Sequence, residues 1–109
     1  MDAGPELPEE GCPPAPVPDG ALVRELRILN RKGLHARASA KFVQTVERFD
    51  AEVAVTRCGE TVGGRSIMGL LTLAAAQGTL ITVTALGEDA DACLDAIGAL
   101  VRDRFGEGE

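Results

Sequence analysis

The sequence predicts a two-layer α+β fold with the element order βαββαβα, in which helices cover one face of an antiparallel sheet. Three observations lead to this prediction. The strand segments alternate apolar and polar residues, which is typical of a sheet with one face in water. Two of these segments are joined by a short turn, which indicates a hairpin. Each helical segment carries one apolar stripe, which indicates packing against a sheet from one side.

Residues 1–20 differ from the rest of the chain in composition. They hold all six prolines and five acidic residues, and they contain no basic residue and almost no large apolar group. Such a stretch buries too little apolar surface to order itself. We therefore expect a disordered acidic, Pro-rich extension over residues 1–20, a single domain over residues 21–106, and a frayed C-terminus over residues 107–109.

The first strand is predicted over residues 22–29, because Leu26 and Ile28 alternate with charged neighbours. Residues 30–33 form the turn that follows it. The first helix then runs roughly over residues 36–49. Its buried stripe consists of Phe42, Val43, Val46 and Phe49.

A hairpin comes next, with alternating Val53 and Val55 on one strand, a turn at residues 57–60, and a return strand starting at residue 61. A second helix of about three turns is predicted over residues 67–76. Ser66 is a favoured residue at its N-cap, where a side-chain oxygen accepts a backbone N–H.

The last strand and helix are the clearest elements. Threonines alternate with aliphatic residues over residues 80–86, and Gly87 turns the chain into a helix over roughly residues 89–105. The helix opens with acidic residues and closes with arginines, as the helix dipole favours. Its stripe consists of Ala90, Cys93, Leu94, Ile97, Leu100, Val101 and Phe105.

The only histidine, His35, lies where a glycine turn meets the start of the first helix. A helix start offers backbone N–H groups without intrahelical partners and a partial positive charge, so it suits a phosphate. The N–H groups of Ala36 and Arg37 are the candidate phosphate donors. Arg37 adds a planar cation that matches phosphate oxygens. We interpret His35 as a phosphoryl acceptor and donor; an ordinary surface histidine is the alternative.

Charge and composition exclude several functions. The chain has a net charge of −6 and lacks Trp and Tyr, which argues against nucleic-acid binding. No apolar run approaches the ~20 residues of a membrane span. The N-terminal residues lack a basic n-region and an apolar h-region, so we expect that they are not a secretory signal. Residues 21–66 nevertheless hold nine of the eleven cations, so the segment around His35 is basic and suits phosphate or an acidic partner.

The three cysteines, Cys12, Cys58 and Cys93, are too few and too scattered to predict a disulfide framework or a metal site. We expect Cys93 in the core and Cys58 as a turn thiol without a role. This pattern favours a reducing, cytoplasmic location. No cofactor and no metal is expected.

Two motifs carry a family resemblance. The first is Gly33-Leu34-His35-Ala36-Arg37, and the second is Gly64-Arg65-Ser66-Ile67-Met68-Gly69-Leu70-Leu71. With the pattern from Gly78 to Ala90, they make residues 22–105 resemble HPr, the histidine-containing phosphocarrier family of the bacterial phosphoenolpyruvate-dependent phosphotransferase system. One departure is Ala38, where the family usually has proline.

The resemblance implies a sheet order of 1-4-2-3 with three helices on one face. It implies that His35 accepts a phosphoryl group from phospho-enzyme I, on Nδ1, and passes it to an enzyme IIA domain. Arg37 matches the family's active-site arginine, and Ser66 matches the serine that HPr kinase/phosphorylase modifies in many members. A monomer that neither binds nucleic acid nor inserts into membranes is expected.

Two alternatives stay open at this point. The chain is then either a regulatory relative in a nitrogen or carbon signalling branch, or a non-transferring module that binds an anion beside His35. An autonomous enzyme is the least favoured, because no further polar constellation is present. Detection of acid-labile phosphohistidine distinguishes a carrier from a pure binder.

Overall fold

A computed structural model describes residues 11–108, so the expectations for residues 1–10 and for residue 109 lie outside the described residues. The element order is the predicted one. The elements are β1 (Leu22–Arg27), α1 (Ala36–Val46), β2 (Glu52–Arg57), β3 (Glu60–Gly63), α2 (Ile67–Thr72), β4 (Leu80–Leu86) and α3 (Ala90–Arg102), followed by a 3-10 turn (Arg104–Gly106).

The four strands form one antiparallel sheet in the order β1-β4-β2-β3, with three helices on one face, which confirms the expected fold. The register pairs Leu26 with Ile81 and Val55 with Val83, so apolar side chains meet on the helix-facing side. The core between the layers is aliphatic with two phenylalanines. Its largest fully buried side chains are Phe42, Phe105, Ile28, Leu70, Leu73, Ile81, Leu94 and Ile97.

All three helices end earlier than the periodicity suggests. After Val46 the chain continues in tighter turns, in which the N–H of Phe49 donates to the Val46 carbonyl. Helix α2 stops after Thr72, because Ala74 takes a positive φ of 53°. Helix α3 stops after Arg102, and Phe105, at φ 54°, turns into the core. Both α2 and α3 are thus followed by residues with positive φ, although the apolar stripe alone would continue the helices.

The cysteine prediction is wrong for two of the three residues. Cys12 and Cys58 form a disulfide, with their Cα atoms 4.7 Å apart and 46 positions apart in sequence. The spacing gave no sign of this bond, because only the return of the N-terminal extension to the β2–β3 turn brings the two sulfurs together. Cys93 is a free, buried thiol, as expected.

Residues 11–20 have no regular secondary structure, and they lie against the domain at the β2–β3 turn and near Leu86 at the end of β4. Within residues 11–108, no helix is both long enough and apolar enough to span a bilayer.

Candidate functional site

His35 is the N-cap of α1. Its backbone is extended, at φ −76° and ψ −177°, and its Nδ1 accepts the N–H of Arg37 at 3.2 Å. The ring edge therefore faces the unpaired amides of the first helical turn, as the sequence predicts. No acidic residue lies in that turn to compete for its positive field.

The turn before His35 is fixed by its backbone. Gly33 has a φ of 69°, and a Cβ there would collide with the carbonyl oxygen of Ala75. The same carbonyl accepts the N–H of Leu34 at 2.9 Å, and the Leu34 side chain is buried. Glycine is required here both for its conformation and for the close approach of the chain that follows α2. The early end of α2 thus supports the histidine turn.

Glu107 completes the surroundings of the ring. Its carboxylate is hydrogen-bonded to Nε2 of His35 through Oε2, and its Oε1 accepts Nδ2 of Asn30 at 3.0 Å. Asn30 is fully buried and also donates to the Gly33 carbonyl at 2.9 Å. We expected fraying from residue 107 onward. Glu107 differs from this expectation because two specific hydrogen bonds hold its side chain, which is only 16% exposed.

The pKa of Glu107 is lowered from its ordinary value. Burial by itself would raise this pKa. The hydrogen bonds from Asn30 and His35, together with the nearby positive charge of Lys32, outweigh burial and favour the carboxylate. An ionised acceptor therefore faces Nε2.

An open cavity of about 730 Å³ lies over the histidine. Ala36 and Arg37 are exposed at its rim. Lys41 donates its Nζ to the Phe105 carbonyl at 2.6 Å, which joins α1 to the C-terminal turn. Three cations and one carboxylate surround the cavity, so it suits an anion that approaches from solvent. Its lining consists of Lys32, His35, Ala36, Arg37, Lys41, Gly106 and Glu107.

Ser66 lies elsewhere, at the N-cap of α2. Its Oγ accepts the N–H of Gly69 at 2.9 Å, and the residue is exposed. It does not line the cavity over His35. Beside it, Met68 is 71% exposed and Ile67 is 39% exposed, so the start of α2 presents apolar side chains to solvent.

The structure thus brings His35, Ala36 and Arg37 together and leaves Ser66 apart. Sequence reasoning missed Glu107 and Asn30, which contact each other across 77 positions of the chain. It also missed Lys41, which binds the C-terminal turn. No local pattern marks the contacts of Asn30 with Glu107, of Glu107 with His35 and of Lys41 with Phe105, because each joins segments that are distant in sequence.

Comparisons with known proteins identify one family. The family model for the "PTS HPr component phosphorylation site" matches residues 22–103. A phosphocarrier protein HPr from Neisseria meningitidis is 48% identical over 88 residues, which are 81% of this chain and 99% of the relative. A phosphocarrier protein NPr from Shewanella violacea is 43% identical over 86 residues, 79% of this chain and 94% of that one.

The fold has solved counterparts. A crystal structure of HPr-C-His from Thermoanaerobacter tengcongensis superimposes with a TM-score of 0.76 at 35% identity, covering 79% of this chain and 97% of that chain.

Proposed function

The chain belongs to the HPr family of phosphocarrier proteins, and from this premise we propose that His35 is its phosphoryl-accepting residue and Nδ1 the accepting atom. The observation that carries the proposal is the pair of hydrogen bonds at the ring. Nδ1 accepts from a backbone N–H, and Nε2 contacts a carboxylate.

This pair of contacts assigns the tautomer from the hydrogen-bond network. A carboxylate only accepts, so Nε2 carries the proton and Nδ1 carries the lone pair. The nucleophilic nitrogen is thus already deprotonated when a phosphoryl donor arrives. Its lone pair attacks phosphorus while the bond between phosphorus and the donor breaks, and no proton leaves Nδ1. Glu107 stabilises the positive charge that develops on the ring, as a carboxylate does behind a catalytic imidazole.

The surroundings of Nδ1 are those that a phosphoryl group needs. In the unphosphorylated protein the N–H of Arg37 donates to Nδ1. Once Nδ1 is phosphorylated, this N–H and that of Ala36 can donate to phosphoryl oxygens at the helix start. The exposed guanidinium of Arg37 is free to turn toward those oxygens, and Lys32 and Lys41 line the same cavity. Positioning and charge stabilisation supply most of the catalysis in phosphoryl transfer.

The proposed partners follow from family membership. Phospho-enzyme I is the donor and an enzyme IIA domain is the acceptor, with the carrier acting as a cytoplasmic monomer. We assign docking to the start of α2, where Met68 and Ile67 are exposed. A flexible methionine suits a surface that meets more than one partner.

Ser66 is proposed as a regulatory phosphorylation site for HPr kinase/phosphorylase. It is exposed and its hydroxyl already faces the amides of α2. A phosphate there gains from the same helix dipole, so it adds nearly two negative charges without unfolding the helix. The added charge would weaken the approach of an acidic partner.

The test is incubation of the full chain with enzyme I and phosphoenolpyruvate, followed by mapping of the phosphate. We expect one acid-labile phosphoryl group per chain, on Nδ1 of His35, and its loss when an enzyme IIA domain is added. A stable label on another residue, or no label at all, would overturn the proposal. Omission of enzyme I is the control for non-enzymatic labelling.

A further inference from the structure

We propose that residues 11–21 form a strap across the outer face of the sheet and that the Cys12–Cys58 bond is a reversible thiol–disulfide latch that closes it. The outer face is the side of the sheet away from the helices. This inference requires nothing of His35, so it stands or falls separately from the phosphoryl-transfer proposal.

The outer face is covered only in part: Val23 of β1, which pairs with Thr84, is 43% exposed, whereas two threonines of the central strands are buried. Val53 and Val55 point into the core, so the strand alternation puts Ala54 and Thr56 on the outer face. By the same alternation Thr84 of β4 lies there. Thr56 is only 5% exposed and Thr84 only 4% exposed. Thr56 and Thr84 thus mark a shielded region over β2 and β4 on a face that is otherwise open.

The strap touches this face at both ends. At one end Cys12 is bonded to Cys58. Pro13 packs closely against the adjacent Gly59: a Cβ added at this glycine would lie 3.2 Å from Cγ of Pro13. At the other end Pro18 and Ala21 line a cavity of about 270 Å³ with the outer face of the sheet. The sheet residues around that cavity are Glu52, Val53, Ala54, Thr84 and Leu86.

The length of the strap matches the sheet. Prolines at positions 13, 14, 16 and 18 favour extended backbone, which rises about 3.1 Å per residue. The nine steps from Cys12 to Ala21 thus reach roughly 28 Å. Strand β2 and the step to Cys58 need roughly 20 Å, at about 3.3 Å per residue. The strap therefore spans β2 from its hairpin end to its far end with length to spare.

The composition of the strap makes the disulfide its main attachment. Proline has no N–H, so this segment cannot join the sheet as a further strand. Pro13, Pro14, Pro16 and Val17 are largely exposed, so little apolar surface holds the strap down. A weakly packed segment closed by one covalent bond is released when that bond is reduced.

The conformation of the β2–β3 turn does not favour a cysteine at position 58. The turn Cys58-Gly59 has positive φ at both residues, 44° and 83°, which is the pattern of a type I′ hairpin. That turn favours Asn-Gly, and cysteine rarely adopts the left-handed conformation. The bond to Cys12 gives the cysteine a role that the turn does not.

The latch closes by exchange with a small-molecule disulfide. One cysteine thiolate attacks the small disulfide and releases one small thiol. The second cysteine thiolate then attacks the mixed disulfide, releases the other small thiol and forms the Cys12–Cys58 bond. Two electrons pass to the small molecule, which is reduced, and an excess of small thiol reverses both steps. Cys93 does not compete, because it is buried and burial raises the pKa of its thiol, despite nearby Arg65.

The experiment compares the full chain in oxidised and in reduced glutathione. On unfolding, we expect three titratable thiols per chain from the reduced sample and one from the oxidised sample, and peptide mapping should join Cys12 to Cys58. By solution NMR, reduction should lower the heteronuclear NOE of Ala15, Val17 and Gly20 to values of a free chain. It should also shift the amides of Thr56 and Thr84.

Two variants control for effects on folding. Cys58→Asn removes the thiol and supplies the residue that the turn prefers, and Cys12→Ser leaves the turn untouched. Both should match the reduced wild type in oxidised buffer while keeping the core resonances. The proposal is overturned if glutathione disulfide forms no intramolecular bond or joins Cys93. It is equally overturned if the strap signals are the same in both redox states.

Discussion

At their first turns, α1 and α2 are both capped by a side chain that accepts a backbone N–H. Nδ1 of His35 accepts from Arg37 at 3.2 Å, and Oγ of Ser66 accepts from Gly69 at 2.9 Å. The similarity ends there. Serine is among the preferred N-cap residues, and histidine is not. The histidine has a carboxylate on its second nitrogen and a cation-lined cavity above it.

The two caps therefore differ in what they are for: Ser66 stabilises its helix, and His35 is proposed to carry out chemistry. Helix stability alone accounts for Ser66. It does not account for His35, since serine or asparagine would cap α1 at least as well. The buried Asn30 binds the ionised Glu107, and Glu107 binds the ring at the helix start, which supports the proposed phosphoryl-accepting role of His35.

The largest expected effect is on His35→Asn. Asparagine keeps a capping oxygen and cannot carry a phosphoryl group, so transfer should fall to background while the fold is kept. In the matched variant His35→Ala, transfer should also be lost, and the free energy of unfolding should be about 1 kcal/mol lower than in His35→Asn. Phosphoryl uptake from enzyme I and urea unfolding measure the two effects. Uptake by either variant would contradict the comparison.

The next largest effect is that of Arg37→Ala on the rate of phosphoryl uptake. A hydrogen bond to a charged group is worth about 1.5–3 kcal/mol, so the rate of uptake should fall roughly tenfold or more. Stability should be unchanged, because the side chain is exposed. Arg37→Lys keeps the charge without the planar fork and should recover part of the rate. An unchanged rate in Arg37→Ala would remove the guanidinium from the site.

The sequence predicts the parts of this site that are local in the chain. The position of His35 at a helix start, the neighbouring arginine and the glycine turn all follow from one stretch of five residues. The element order follows from periodicity. The orientation of the ring does not, because Glu107 reaches Nε2 only after α3 has crossed the sheet and Phe105 has turned into the core.

The errors have the same origin. Helix α2 was expected to run to residue 76, but the Ala75 carbonyl is used to support the turn at Gly33 and Leu34. The Cys12–Cys58 bond depends on a return of the chain over 46 positions. Contacts between distant segments leave no periodic pattern, so the sequence carries no readable signal for them.

Ser66 should behave in the opposite way to His35. Ser66→Ala should lower the free energy of unfolding by about 1 kcal/mol and leave phosphoryl uptake at His35 intact. Ser66→Asp keeps a capping oxygen and adds a negative charge, so it should retain stability and bind enzyme I more weakly. Urea unfolding and titration calorimetry with enzyme I measure the pair. Equal affinities of Ser66→Asp and wild type would contradict the regulatory proposal.

The smallest expected effect is a pH dependence of the free energy of unfolding that comes from Glu107. It sharpens the comparison of the two caps, because His35 binds an ionisable carboxylate and the Ser66 hydroxyl binds the backbone N–H of Gly69. The pKa of Glu107 in the folded protein lies below its ordinary value of 4.5, which we take for the unfolded chain. A carboxyl group with a lowered pKa contributes its full stabilisation at pH values above the pKa of the unfolded chain, and this stabilisation is lost as the pH falls through the pKa of the folded protein.

Glu107→Gln cannot titrate and is the control. The stability difference between wild type and Glu107→Gln, measured by urea unfolding at each pH, should therefore be largest well above pH 4.5 and shrink as the pH falls below 4.5. A difference that stays constant over this range would mean that the carboxylate gains nothing from Asn30, Lys32 and His35, and the assignment of Nδ1 as the free nitrogen would lose its support.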